Sequence, residues 1–418
     1  MREVVVDLVV VGAGPAGLAA ALAAARNGVA DIVLLDRLDE PGGILPQCIH
    51  NGFGLRYFHE ELTGPEYAWR FIEELNRTPQ IRWKPHTMAI ELASGPSVHA
   101  VSPAEGMVVY RARAVILAMG CRERTRGALN IPGTRPAGIY TAGTIQRLMN
   151  IEGYRPGNRA LILGSGDIGL IMARRLTLEG IQVAAVLEIM PFSSGLNRNL
   201  VQCLEDFGIP LLLSHTVVEI YGDQRVSGVK AAPVDENRRP LMERSFDVEC
   251  DTLALSAGLI PENELSAGAG VELDPATGGP RVDSDYRTSV PGVFACGNVV
   301  HVHDLVDDVS EEAEITGAAA AAYLAGQSQT GKGIEIRSGR NIRSIVPQTI
   351  HPGKSAMLYI RACFPERDAV LRVGNQQIKQ RTVTPGETVR YLVKPEELAG
   401  LGQGRLPVSI GEEVAGDE

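Results

Sequence analysis

The chain has 418 residues, enough for two or three domains, and its 44% apolar and 22% charged content is that of a globular protein. A formal net charge of −10, without a long Lys/Arg run, excludes the basic patches by which nucleic acid or an anionic membrane is bound. No apolar run approaches the roughly 20 residues that span a bilayer, and the six cysteines (48, 121, 203, 250, 296 and 363) include no close pair, which excludes a C-x-x-C centre, a zinc ribbon or a self-contained iron–sulfur site.

The first segment, "VVVDLVVVGAGPAGLAAALAAARNGVADIVLLDR", is an apolar strand, a glycine turn, a small-residue helix and a second strand ending in an acid. It shows no cleavable leader, so a cytoplasmic protein is expected. Gly12 makes the tight turn, Gly14 lets a pyrophosphate approach the backbone, and Gly17 lets the helix pack on the sheet. The helix N-terminus offers N–H groups to phosphate, and Asp36 is placed to accept ribose hydroxyls. Residues 42–54, "GGILPQCIHNGFG", follow, and their double glycine suggests a backbone lying close to a cofactor. Two readings of Cys48 stay open, a redox thiol or a small residue packed in a loop. His50 is a proton donor, a partner-facing group or a hydrogen-bonded loop residue.

Residues 84–113 alternate and turn like a small β-meander. "AVILAMGCRERTR" (114–126) is a strand with an Ala-x-Gly turn. "RALILGSGDIGLIMARRLTLEGIQVAAVLEI" then repeats the opening unit. Gly164, Gly166, Gly169, Gly180 and Glu188 each stand 152 residues beyond Gly12, Gly14, Gly17, Gly28 and Asp36. Glu188 would repel a 2′-phosphate, and no Arg follows it, so NAD(H) is expected over NADP(H). "LALSAGLIPE" (253–262) and "VPGVFACGNVV" (290–300) are further strand-and-turn motifs.

His301 and His303 lie two apart with Asp304 next. Lacking a third ligand at typical spacing, they suggest loop or cofactor stabilisation, and no metal centre is expected. A helix is expected from about Val309 to Leu324, with Asp308 and Glu311 at capping-box spacing. Its acids Asp307, Asp308, Glu311 and Glu312 read as a cap and a solvated or partner-facing edge. Cys121, Cys203, Cys250 and Cys296 read as inert core thiols. After a Gly/Ser/Thr linker, residues 335–412 show short alternating runs of a β-rich domain, a sandwich or similar, before an acidic tail.

These motifs resemble those of the two-dinucleotide-binding-domain flavoproteins, the group containing thioredoxin reductase and the disulfide reductases. The resemblance implies an α/β fold with two Rossmann-like dinucleotide-binding domains, the NAD domain (121–284) inserted in the FAD domain (1–120 and 285–326), plus the small C-terminal β-rich domain. It implies FAD held by Gly12, Ala13, Gly14, Pro15, Ala16, Gly17, Asp36, Arg37, Gly43, Ile44, Met88, Ala118, Gly120, Gly297 and Asn298. It implies NAD held by Gly164, Gly166, Asp167, Ile168, Gly169, Glu188 and Gly258. Met119 replaces the usual Thr of the Ala-Thr-Gly turn, and Asn298 the usual Asp of the late FAD motif, keeping a carbonyl acceptor without the charge. The late helix is implied to point its N-terminus at the flavin.

"GGILPQCIHNGFGL" and "ACGNVVHVHDLVDDVSEEAEI" are more closely similar to the group formed by the B component of anaerobic glycerol-3-phosphate dehydrogenase and the α subunits of opine oxidase and dye-linked amino-acid dehydrogenases. That implies a second flavoprotein dehydrogenase as partner, with or without a small iron–sulfur protein. Three functions remain open: an NADH-linked flavin oxidoreductase within a complex, a single-cysteine disulfide or peroxide reductase using Cys48, and a non-catalytic flavin-bound scaffold.

Overall fold

The computed structural model describes residues 2–93, 95–327, 333–399 and 404–412; most of the expected linker and of the acidic tail lies outside them. The chain divides into two compact units, residues 1–121 with 261–418, and residues 122–260. The second unit thus ends before the expected boundary at 284. Residues 261–284 belong to the first unit because Val271 and Val282 join Val6, Val115 and Val293 in one core, and Asn263 Nδ2 donates to the Val299 carbonyl at 3.3 Å.

In the first unit β1 (Arg2–Val11), α1 (Pro15–Arg26), β2 (Ile32–Leu35), α2 (Gly64–Asn76), β3 (Ile81–Lys84), β4 (Met88–Ala93), β5 (Ser97–Ser102) and β6 (Gly106–Leu117) precede the crossing into the second unit. The sheet order is β3-β2-β1-β6-β5-β4. The pairs β3–β2, β2–β1 and β1–β6 are parallel. The meander β4–β5–β6 is antiparallel. The C-terminal half of β1 and all of β2 are buried on both faces, as parallel strands covered on both sides must be.

The second unit contains β7 (Ile139–Thr141), α3 (Ala142–Asn150), β8 (Arg159–Leu163), α4 (Asp167–Leu178), β9 (Gln182–Glu188), β10 (Leu211–Leu213), β11 (His215–Gly222), β12 (Val226–Pro233), β13 (Phe246–Val248) and β14 (Thr252–Leu255). Its parallel sheet runs β7-β14-β8-β9-β10, and β11–β13 form a separate antiparallel sheet. Two parallel-sheet units of this kind are the α/β, doubly Rossmann-like class expected from the sequence.

Back in the first unit, β15 (Val293–Ala295) pairs with β6, and α5 (Val306–Leu324) packs against α1, where Gly317 lies on the Ala20 carbonyl. The C-terminal strands β16 (Ile334–Ser338), β17 (Ile342–Val346), β18 (Thr349–Ile350), β19 (Ala356–Ala362), β20 (Glu366–Val373), β21 (Gln376–Val383), β22 (Val389–Val393) and β23 (Arg405–Glu412) form two sheets, β18-β16-β23-β20-β21 and β17-β19-β22. Leu371, Val408 and Ile410 of one sheet meet Ile345, Leu358 and Ile360 of the other in a single core. Among the described residues, no helix is long and apolar enough to cross a membrane.

Helix α5 corrects two expectations. It begins at Val306, with no side-chain cap, so Asp308 and Glu311 form no capping box. Distant partners draw the acids inward instead. Asp307 accepts the N–H groups of Gly54 and Arg56 at 2.9 and 3.0 Å, and Asp308 pairs with Arg56 and Arg390 at 3.1 and 2.8 Å. Asp307, Asp308 and Glu312 are buried, so this face is not a solvated edge; only Glu311, paired with Arg390, is half-exposed.

Candidate nucleotide sites

In the first unit, the turn after β1 folds so that the Gly12 N–H donates to the Leu35 carbonyl at 2.8 Å. Gly12 has φ +103°, and a Cβ there would sit 2.4 Å from the Ala118 carbonyl oxygen, so only glycine fits. Asp36 closes the arrangement, one carboxylate oxygen accepting the Ala13 N–H at 2.6 Å and the other the Leu38 N–H at 2.9 Å. The N-terminus of α1, with Gly14 as N-cap and Pro15 in its first turn, has no side-chain cap, which leaves its N–H groups facing outward for an anion.

The second unit repeats this bond for bond. Gly164 N–H donates to the Leu187 carbonyl at 2.7 Å, and Gly164 has φ +106°. Glu188 accepts the Ser165 N–H at 3.0 Å and the Met190 N–H at 2.9 Å. Residues 165, 187 and 190 again stand 152 beyond 13, 35 and 38. The N-terminus of α4, with Gly166 as N-cap, is likewise free of a side-chain cap. The buried Ser256 hydroxyl beside Gly169 has no hydrogen-bond partner, a polar group placed for a ligand. Asp167 in the first turn of α4 holds the following loop, accepting from Leu196 N–H at 2.8 Å and Asn199 Nδ2 at 2.6 Å. Ile168 is half-buried beside it. The carbonyl of Gly258, with φ +99°, accepts the Arg124 N–H at 3.1 Å.

The repeat extends further than the sequence pattern indicates. Gly42 N–H reaches the Ala13 carbonyl at 2.8 Å, and 152 residues on, Ser194 N–H reaches the Ser165 hydroxyl at 3.1 Å. Gly43 packs on Gly14, where a Cβ would lie 2.8 Å from its Cα, and Gly195 packs against Leu170 and the Ser165 carbonyl, where a Cβ would lie 2.5 and 2.8 Å away. Glycine is the one clue shared by positions 43 and 195.

The matching family model is that of the pyridine nucleotide-disulphide oxidoreductases, over residues 6–347. The chain belongs to this family of FAD- and NAD(P)-dependent oxidoreductases. It is 30% identical over 284 residues to hydrogen cyanide synthase subunit HcnB of Pseudomonas aeruginosa, covering 63% of this chain and 59% of that protein. It is 25% identical over 334 residues to the A component of opine oxidase of Agrobacterium tumefaciens, covering 75% and 64%. The chain therefore matches less than two thirds of the length of either relative. Among solved structures, T. acidophilum thioredoxin reductase superposes with a TM-score of 0.64 and 25% identity, covering 77% of this chain and 99% of that one. The uncapped helix N-termini and the paired carboxylates fit dinucleotides in both units.

Within the family frame, the structure gathers several expected residues of the first unit around the turn. A Cβ on Gly297 would meet Ala16 of α1 at 2.7 Å, which sets the late motif against the glycine turn. Arg37 is exposed just after Asp36, and Ile44 is exposed beside Gly43. Ala118 and Gly120 follow β6, and the Gly120 carbonyl accepts the Glu262 N–H at 3.0 Å. Met88 is half-exposed at the start of β4, next to Thr87, whose N–H donates to the Asp36 carbonyl at 2.7 Å. Asn298 uses its side-chain oxygen within the protein, accepting the His303 N–H at 3.0 Å, and its amide donates to Cys121 Sγ at 3.6 Å.

Cys48 follows a short helical turn (Leu45–Gln47), 9% exposed, with its thiol on the Ile44 carbonyl at 3.4 Å and its own carbonyl accepting the Gly64 N–H. None of the six cysteines is in a disulfide. Burial pushes the Cys250 thiol up to about 11 and also raises Cys296, as inert core thiols require. His50 contacts the Asn51 carbonyl at 3.1 Å and packs on Phe53.

The position of Glu312 could not be foreseen from sequence. This fully buried carboxylate accepts the Gly297 N–H at 2.6 Å and lies 3.0 and 3.1 Å from Nε2 of His301 and His303. Burial alone would raise its pKa, but the two imidazoles outweigh that and hold it at about 2.

Proposed function

We propose that the first unit binds FAD and the second NAD(H), and that the chain is the nicotinamide-facing, electron-transferring subunit of a dehydrogenase complex. The observation that carries this reading is the duplicated turn-and-carboxylate constellation, Asp36 on Ala13 and Glu188 on Ser165, each beside an uncapped helix N-terminus. When bound, the cofactors supply hydride exchange between nicotinamide and flavin. The residues' work is then positioning. Gly12, Gly14, Gly164 and Gly166 let the backbones approach the two pyrophosphates. Asp36 and Glu188 hold the two riboses, and the negative Glu188, followed by Ile189 and Met190 rather than Arg, selects NAD over NADP.

The subunit role draws support from the names of the two relatives, both of them subunits of larger enzymes. The substrate class proposed for the complex is glycerol 3-phosphate or an amino acid, and the partner a second flavoprotein dehydrogenase, with or without a small iron–sulfur protein. Cys48 is proposed as part of the flavin's surroundings rather than a redox thiol, because its thiol is tied to the Ile44 carbonyl. Anaerobic titration with NADH tests this. Flavin bleaching without a thiolate charge-transfer band, unchanged in Cys48→Ser, supports the proposal. A band abolished by Cys48→Ser favours a single-cysteine reductase, and a flavin that NADH never reduces favours a scaffold.

A further inference from the structure

The loop after β15 and the second turn of α5 bring one ligand atom each of His301, His303 and Glu312 within 4.8 Å of one another. Glu312 Oε2 lies 3.0 Å from His301 Nε2 and 3.1 Å from His303 Nε2. Ordinary tetrahedral N and O ligands of zinc stand roughly 3.3 Å apart, so an outward shift of a few tenths of an ångström turns these hydrogen-bond spacings into those of a ligand set.

The hydrogen bonds behind His303 and Glu312 determine which of their atoms face inward. Asn298 Oδ1 accepts the His303 backbone N–H at 3.0 Å, which fixes the amide's orientation. The atom 3.2 Å from His303 Nδ1 is therefore an oxygen, and Nδ1 carries a proton toward it. In the neutral ring, Nε2 then directs its lone pair at a carboxylate oxygen. That contact needs positive charge between the two atoms, which a metal ion or a second ring proton supplies. A ring nitrogen donating to a carbonyl while the other nitrogen faces inward is the usual support of a metal-bound histidine. Glu312 is braced in the same manner, its Oε1 taken by the Gly297 N–H at 2.6 Å and its Oε2 left for the site. The Tyr359 ring of the C-terminal sheet packs on both imidazoles, at 5.4 and 5.5 Å between centroids, and closes the site from that side.

We propose that His301, His303 and Glu312 bind one divalent first-row metal ion, with zinc the best match to two imidazoles and a carboxylate. The fourth position falls to a water. The ion ties the Gly297–Asn298 loop to α5 beneath the C-terminal sheets. Its role is to hold that loop, and it takes no part in the proposed hydride exchange.

Tag-free, full-length protein is dialysed against a weak chelator and titrated with Co²⁺, then competed with Zn²⁺, while bound metal and flavin are counted. The expected result is one Co²⁺ per chain, displaced by Zn²⁺, with visible bands of four-coordinate N/O ligation and no thiolate charge transfer in the near ultraviolet. Glu312→Gln, which keeps an acceptor for Gly297, should lower the affinity about tenfold or more. If that variant fails to fold, the wild-type spectrum still decides, because cysteine ligation would show the thiolate band. A wild-type chain that takes up no stoichiometric Co²⁺ or Zn²⁺, or takes it up on cysteine, overturns the proposal, whatever NADH does to the flavin.

Discussion

The two Rossmann-like units carry the same construction at a fixed offset, and they differ most in the side chain after the first glycine. In the first unit that residue is Ala13, which offers only its backbone: N–H to Asp36 and carbonyl to Gly42. In the second it is Ser165, whose hydroxyl donates to Glu188 at 2.5 Å and accepts the Ser194 N–H. Glu188 consequently has four donors, the Ser194 hydroxyl at 3.5 Å among them, where Asp36 has two, and is buried where Asp36 is half-buried. The common features belong to the backbone turn that any dinucleotide requires. The extra bonds set the second carboxylate more rigidly, as the proposed choice between two nicotinamide cofactors requires.

The comparison breaks most visibly at the glycines. Gly12→Ala forces a Cβ against the Ala118 carbonyl at positive φ and should cost about 3 kcal/mol, the upper range for single changes. Gly164→Ala does the same against Ser256 in the other unit. Thermal denaturation and flavin content should show Gly12→Ala protein lacking FAD. Gly164→Ala protein should keep its FAD but lose NADH binding. If both variants lose the same cofactor, the assignment of one cofactor per unit fails.

Next in size are the carboxylates. Asp36→Ala strands two N–H donors and should cost about 2 kcal/mol with weakened FAD retention, read by denaturant unfolding and ultrafiltration. Glu188→Arg should move the preference between NADH and NADPH by about tenfold or more, equivalent to about 1.4 kcal/mol, in steady-state KM values. A smaller effect is expected from Ser165→Ala, which makes the second turn chemically like the first. Loss of the charged hydrogen bond to Glu188 and of the acceptor for the Ser194 N–H should cost about 1–2 kcal/mol in unfolding and raise the KM for NADH without changing the flavin. Cys48→Ser should leave NADH-to-dye electron transfer unchanged.

Local patterns carry most of the fold. The strand, turn, helix and acid of each unit follow from residues within about 25 positions, and the 152-residue spacing is visible in the glycines alone. The meander before β6 and the alternating C-terminal runs are equally plain. What escapes the sequence are contacts made after the chain reverses direction. Asp308 and Glu311 have capping-box spacing, yet α5 starts earlier because Asp307 and Asp308 find Gly54, Arg56 and Arg390 far away in sequence. Glu312 has the pattern of a surface helix acid, since nothing in the sequence tells that the late-motif loop folds back onto α5. The pairing of Gly42–Gly43 with Ser194–Gly195 is hidden because only one glycine survives in the second copy.

Anaerobic titration of the purified protein with NADH, in wild type beside Glu188→Ala, tests the assignment of one cofactor to each unit most directly. NADH should fully reduce the wild-type flavin, and Glu188→Ala should retain its flavin but need far more NADH to reduce it. Reduction by NADH that is untouched by Glu188→Ala, or a wild-type flavin that excess NADH leaves oxidised, would contradict that assignment.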